Sequence, residues 1–211
     1  MKASFTILLL AAVSWAQTPA VTPVPHASPL GYSYSLPSDW EVVDPHPMEP
    51  LMKQEQAKTA ESPEEKKGIE CVQLTLTARK GSPASVIVVV ELPYSCFGQT
   101  MSEKDLPGFA MGASDGLKKS FNITDPQYGA YTLGKHSFWI ERVQGAVIDH
   151  PEAAYTVEIA CTLLKDGAVC WMAMAKDTDA LEAFEQGAVK LDGEAEPALV
   201  PAHAFEKKAT P

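Results

Sequence analysis

Along much of this chain, bulky apolar residues alternate with small or polar ones, the period of a half-buried strand. Tyr32, Tyr34 and Leu36 fall on one side of residues 31–36, and Ser33 and Ser35 on the other. Pro37-Ser38-Asp39 forms a turn, and Trp40-Glu41-Val42-Val43 resumes the extended pattern. Val72, Leu74, Leu76 and Ala78 alternate with Gln73, Thr75, Thr77 and Arg79, which predicts a strand with one buried face. After the turn "KGSP" (80–83), Ser85 to Leu92 is apolar on both faces, which places it at the centre of a sheet. Residues 131–133, 138–147, 154–164 and 169–175 read as the strands of a meander. Tyr155, Val157, Ile159, Cys161 and Leu163 share its core face, and "KDG" (165–167) turns its last hairpin.

Two stretches change to a helical period. Over residues 105–119, Leu106, Phe109, Ala110, Ala113 and Leu117 form an apolar stripe. Glu103 and Asp105 suit its positive end and Lys118 and Lys119 its negative end. Pro107 is tolerated only in a first turn, which sets the start. Over residues 178–191, Leu181, Phe184, Ala188 and Leu191 form a second stripe, and Gly193 stops it. Strands joined mainly by hairpins and covered by two amphipathic helices predict an α+β fold with a mainly antiparallel sheet.

The pattern lapses in three places. Residues 17–30 hold four prolines and no charge and read as an extended linker. Residues 45–68 are charged and broken by Pro45, Pro47, Pro50 and Pro63, with room for a short solvated helix. Residues 193–211 read as a loosely ordered tail. One domain is therefore expected over 31–192. Before the linker, Lys2, the apolar run from Phe5 to Val13 and Ser14-Trp15-Ala16 have the layout of a secretory signal peptide, cut after residue 16. The run is too short to span a bilayer, which takes about 20 residues.

Export changes how charge and cysteine are read. The cut leaves 16 basic and 27 acidic residues, a net −11 that repels nucleic acid and anionic head groups. Cys71, Cys96, Cys161 and Cys170 then suggest disulfides. Of three possible pairings, the spacing favours Cys71 with Cys96 and Cys161 with Cys170, since each pair flanks a hairpin. With Asp166-Gly167 as the loop, Cys161 would lie diagonally across from Cys170, one register shift from bonding range.

With that order of elements in hand, "GYSYSLPSDWEVVD" (31–44) resembles the N-terminal hairpin of the PsbP-like (Mog-type) α/β/α sandwich superfamily, whose members commonly begin Gly-aromatic-x-aromatic-x-x-Pro-x-x-Trp. The mid-chain helix, the meander ("HSFWIERVQG", "AAYTVEIACTLLKDG", "AVCWMAMAKD") and the C-terminal helix "DALEAFEQGAVKL" follow in a similar order. The resemblance covers Gly31 to Asp192 and omits the 45–68 segment and the cysteines. It implies a fold and a mostly non-enzymatic superfamily of accessory, assembly or interaction proteins. It transfers no functional residue; Trp40 and the tyrosines read as core.

Candidate chemistry is sparse. His46, Met48 and Met52 offer soft copper ligands in a loop, with Glu49 among them. Met172 and Met174 read as core filler. His136-Ser137 and Asp149-His150 flank one strand, about 35–45 Å apart at ~3.3 Å per residue, which defeats a triad between them. Neither GxSxG nor HExxH occurs, and "GASDG" (112–116) falls within a helix and lacks a phosphate-loop lysine. Asn122-Ile123-Thr124 is a glycosylation sequon by letter only. The expectation is a secreted or periplasmic, non-enzymatic interaction or accessory protein of the cell envelope, with no catalytic, cofactor or metal residues and an unnamed protein partner. A small-ligand or metal-binding protein is the alternative, and a hydrolase with an unrecognised site the second.

Overall fold

The strand alternation of the N-terminal half builds two different sheets in the computed structural model, which describes residues 24–36, 39–44, 47, 49–57, 62–81, 85–118 and 121–206. The signal-peptide expectation lies outside these residues. β1 (Val24–Ala27), β2 (Tyr32–Leu36), β10 (Val189–Leu191) and β11 (Glu194–Glu196) form a small sheet in the order β1-β2-β10-β11. The large sheet has the order β3-β4-β5-β9-β8-β7-β6. Its strands are β3 (Glu41–Val43), β4 (Gln73–Lys80), β5 (Ser85–Pro93), β6 (Phe121–Leu133), β7 (His136–Val147), β8 (His150–Leu164) and β9 (Gly167–Ala175). Every pairing is antiparallel. Helices α1 (Glu49–Ala57), α2 (Pro63–Cys71), α3 (Tyr94–Phe97), α4 (Leu106–Leu117) and α5 (Thr178–Glu185) complete an α+β architecture. Among the described residues, no helix is long and apolar enough to cross a membrane.

The middle of the large sheet is buried on both faces. On one, Ile87, Val89, Phe138 and Trp171 pack against Tyr32, Tyr34 and Leu36 of the small sheet and Phe184 of α5. On the other, Val90, Val157, Ile159, Cys161 and Cys170 meet Leu106 and Ala110 of α4. β5 is apolar on both faces because it runs between β4 and β9. α4 starts one residue before Pro107, so the proline sits in the first turn. α2 has Ser62 as N-cap, its hydroxyl accepting from the Glu65 N–H at 3.0 Å, and Pro63 at its first position.

Several expectations give way to local geometry. β2 and β3 are not a hairpin: β2 pairs with β1 and β10, while β3 pairs with β4 in the other sheet. The linker over 17–30 contains a strand at Val24–Ala27, an edge position where proline can sit without losing a ladder bond. A bulge at Thr75 turns β4, so Leu74 joins the α4 side and Leu76 and Ala78 the small-sheet side. The helix expected over 178–191 ends at Glu185, and Val189–Leu191 becomes β10. Gly187 makes this possible, because a Cβ there would collide with the Tyr34 ring. The tail expected to be loose returns to the core: Leu199, Val200 and Ala204 are buried. Residues 45–68 hold two helices rather than one.

Candidate functional site

Two places carry more than packing, an exposed sheet edge and a buried charge cluster. The edge is β6. It ends the large sheet, runs for 13 residues, and among the described residues its outer side pairs with no strand. Asp125 is its one charged residue. Opposite Gln144 to Arg142 of β7, β6 runs from Thr124 to Gln127 and so fits in one extra residue, with Asp125 in the left-handed region at φ 51°. Aspartate tolerates that conformation, and Pro126 follows where no ladder N–H is needed. Tyr128 is 47% exposed and lies 6.0 Å, ring to ring, from Trp139 of β7. Beside it is a cleft of ≈ 390 Å³ lined by Lys118, Phe121, Ile123, Pro126, Tyr128 and Glu141. A bare edge beside an aromatic depression can add a strand through the backbone and seat one of its side chains.

The charge cluster lies on the opposite side of the sheet from α4. β8 alternates, so Val157, Ile159 and Cys161 face α4 while Glu158 and Ala160 face the small-sheet side. Glu158 is 0% exposed. Arg142 of β7, its register partner, donates from Nε and lies 2.6 Å from the Glu158 Oε2 by both Nε and Nη2. The same Nη2 donates to Glu185 Oε1 of α5 at 2.6 Å. The Phe205 ring covers the guanidinium, 4.3 Å from centroid to Cζ. Glu158 Oε1 has no hydrogen-bond partner in the structure. Burial pushes the Glu158 carboxyl up to about 8, against the pull of Arg142 and with the repulsion of Glu185.

A second buried carboxylate is bonded to a tyrosine. Glu91 of β5 accepts the Tyr32 hydroxyl at 2.7 Å, and Thr75 lies 3.2 Å from the same hydroxyl. Burial raises the Tyr32 phenol and lowers the nearby His26 imidazole.

The four cysteines pair as Cys71–Cys96, with Cα atoms 5.5 Å apart, and Cys161–Cys170 at 4.1 Å. The second pair is directly opposed rather than diagonal. Lys165-Asp166 is the loop, Leu164 pairs with Gly167, and Cys161 therefore faces Cys170. His46 and Met48 lie outside the described residues. Met52 falls in α1, but its side chain is also outside them, so the expected soft-ligand set lies outside the described residues. Met172 and Met174 pack on the α4 side. His136 opens β7, whereas His150 pairs with Val147 at its other end. His136 instead faces Asp192 at 3.5 Å and the Leu163 carbonyl at 3.3 Å. Among the described residues, no group of three or more His, Cys, Asp or Glu gathers in a metal-holding arrangement.

No family model and no curated protein matches the sequence. Among solved structures it is similar to the cyanobacterial PsbP (CyanoP) from Synechocystis sp. PCC 6803. The two share 12% identity, with a TM-score of 0.40 over 80% of this chain and 88% of that one. The likeness is one of fold and gives no residue of this chain a role.

Proposed function

We propose that this chain is a non-enzymatic interaction or accessory protein of the cell envelope, secreted or periplasmic, which takes an extended segment of a partner protein along β6. The observation that carries this reading is a 13-residue edge with one charge that pairs with no outer strand among the described residues. Exposed edges of this length are normally shortened, charged or covered, because they template pairing with another chain. Main-chain bonds to β6 would supply affinity, and the cleft beside Tyr128 would select a side chain. Two disulfides, with no free cysteine among the described residues, favour an oxidising compartment. The acidic surface disfavours nucleic acid as the partner.

The test is photo-crosslinking in the intact producing cell. A photoreactive residue replaces Tyr128 or Thr132 on β6 and, separately, Val42 on β3. The reading expects one discrete adduct from the two β6 positions and none from Val42. Adducts from Val42 alone, or none from either edge, would overturn it.

A further inference from the structure

The strand-covering segment 197–206 buries Leu199, Val200 and Ala204 in the core, and its other contacts converge on the charge cluster. Its Val200 N–H donates to the Glu185 carbonyl at 2.9 Å. Its Leu199 carbonyl accepts the Tyr131 hydroxyl of β6 at 2.8 Å. Its Ala204 carbonyl sits so close over Gly129 that a Cβ there would collide with it. Its Phe205 ring lies on Arg142. The residue that anchors one end of this strap, Glu185, therefore also supplies a carboxylate to Arg142, and the guanidinium that Phe205 covers is the one that holds Glu158.

Charge inside the cluster is set by one proton. Arg142 carries one positive charge. With Glu158 neutral, the fully buried carboxyl adds no charge beside Arg142. The groups acting on Glu158 are Arg142 from β7 and Glu185 from α5. Tyr131 from β6 feels both carboxylates, and burial keeps its phenol protonated well above the usual range. The position facing Glu158 on β9 is Ala173, which brings no charge. A neutral Glu158 carboxyl fits a side chain that is 0% exposed and whose Oε1 has no hydrogen-bond partner, because an ionised oxygen there would be buried and unsatisfied.

We propose that Arg142, Glu158 and Glu185 form a proton-operated latch for the 197–206 strap: while the buried Glu158 keeps its proton the strap stays seated, and its loss to bulk water loosens the strap. Losing the proton leaves two carboxylates facing one guanidinium, with Glu158 fully buried while Arg142 and Glu185 are part-exposed, and like charges that close repel. The cheapest relief is to hydrate the site by lifting Phe205 and the segment behind it. The latch stands whether or not β6 takes a partner strand.

Carbon-detected NMR on the oxidised, signal-free chain tests this. The Glu158 carboxyl carbon, the Phe205 ring and the Val200 amide are followed from pH 5 to pH 9.5. The expected result is a Glu158 midpoint several pH units above that of an exposed glutamate, with Phe205 and Val200 shifting at the same midpoint. In Glu158→Gln the Phe205 and Val200 shifts should vanish from that range. In Glu185→Gln, which removes the repelling charge, the Glu158 midpoint should fall. A Glu158 midpoint at the ordinary carboxylate value would overturn the latch. So would a Glu158 titration that leaves Phe205 and Val200 unmoved, or strap shifts that persist in Glu158→Gln. The wild-type titration alone decides the first two cases if a variant does not fold.

Discussion

The two edges of the large sheet are built differently. β3 is three residues long, and its flank is dressed with charge: Arg79 pairs with Glu41 at 2.9 Å and Lys80 with Asp39 at 2.7 Å. β6 is 13 residues long, carries one charge, and is bulged in its first half. Short length and charge are the usual ways to stop a sheet growing. β6 has a bulge with Asp125 and Pro126 in its first half, and these leave Gln127 to Leu133 continuous. Its inner support is also different. β3 leans on surface ion pairs, whereas β6 is clamped from one face by a strap fixed through Tyr131, Gly129 and the Arg142 cluster. A long bare edge kept rigid by its own tail is suited to receive a strand; a short charged edge is suited to refuse one.

The strap side should respond to pH most. Glu158 has its folded-state value raised from 4.5 to about 8, so the folded protein holds a proton that the unfolded chain releases. Its contribution is fully present below about 4.5 and is lost as pH rises through about 8. The unfolding free energy from urea melts should therefore fall across that window by an amount on the order of a few kcal/mol, and this pH slope should flatten in Glu158→Gln. Gly129→Ala comes next. Its new methyl meets the Ala204 carbonyl and Ile140, so about 1–3 kcal/mol of stability should go, read from denaturant melts. Tyr131→Phe removes the bond to the Leu199 carbonyl and should cost about 1–2 kcal/mol at neutral pH. At the β3 edge, Glu41→Gln breaks a well-exposed ion pair and should leave the same melt unchanged within its error. Equal costs at the two edges would remove the contrast.

How much of this could be read in the sequence depended on whether one element could be judged alone. The core face of β8 was legible from Val157, Ile159 and Cys161, because alternation is local. Its other face was not, since Glu158 in "TVEIACTLL" reads as a solvent position until the small sheet covers it. A signal was present: Ala160, Thr162 and Leu164 on the same side are small or apolar, which is odd for a wet face. Arg142 and Glu185 sit 16 and 27 residues from Glu158 on different elements, so their meeting is a product of topology. The first half of β6 was lost to Asp125 and Pro126, which signal a turn but here make a bulge. β10 was lost because Ala188 and Leu191 fit a helical stripe, and only the Tyr34 ring against Gly187 shows why the helix stops. The strap was lost because Leu199, Val200 and Ala204 have no period at all.

The claim that β6 is a docking edge is tested most directly by amide hydrogen exchange on the purified chain, alone and joined to the partner recovered from the β6 crosslink. The account predicts new protection at alternate amides between Gln127 and Leu133, those pointing away from β7, with Glu41 to Val43 unchanged. Exchange in β6 that is the same with and without the partner, or protection confined to another surface, would contradict it.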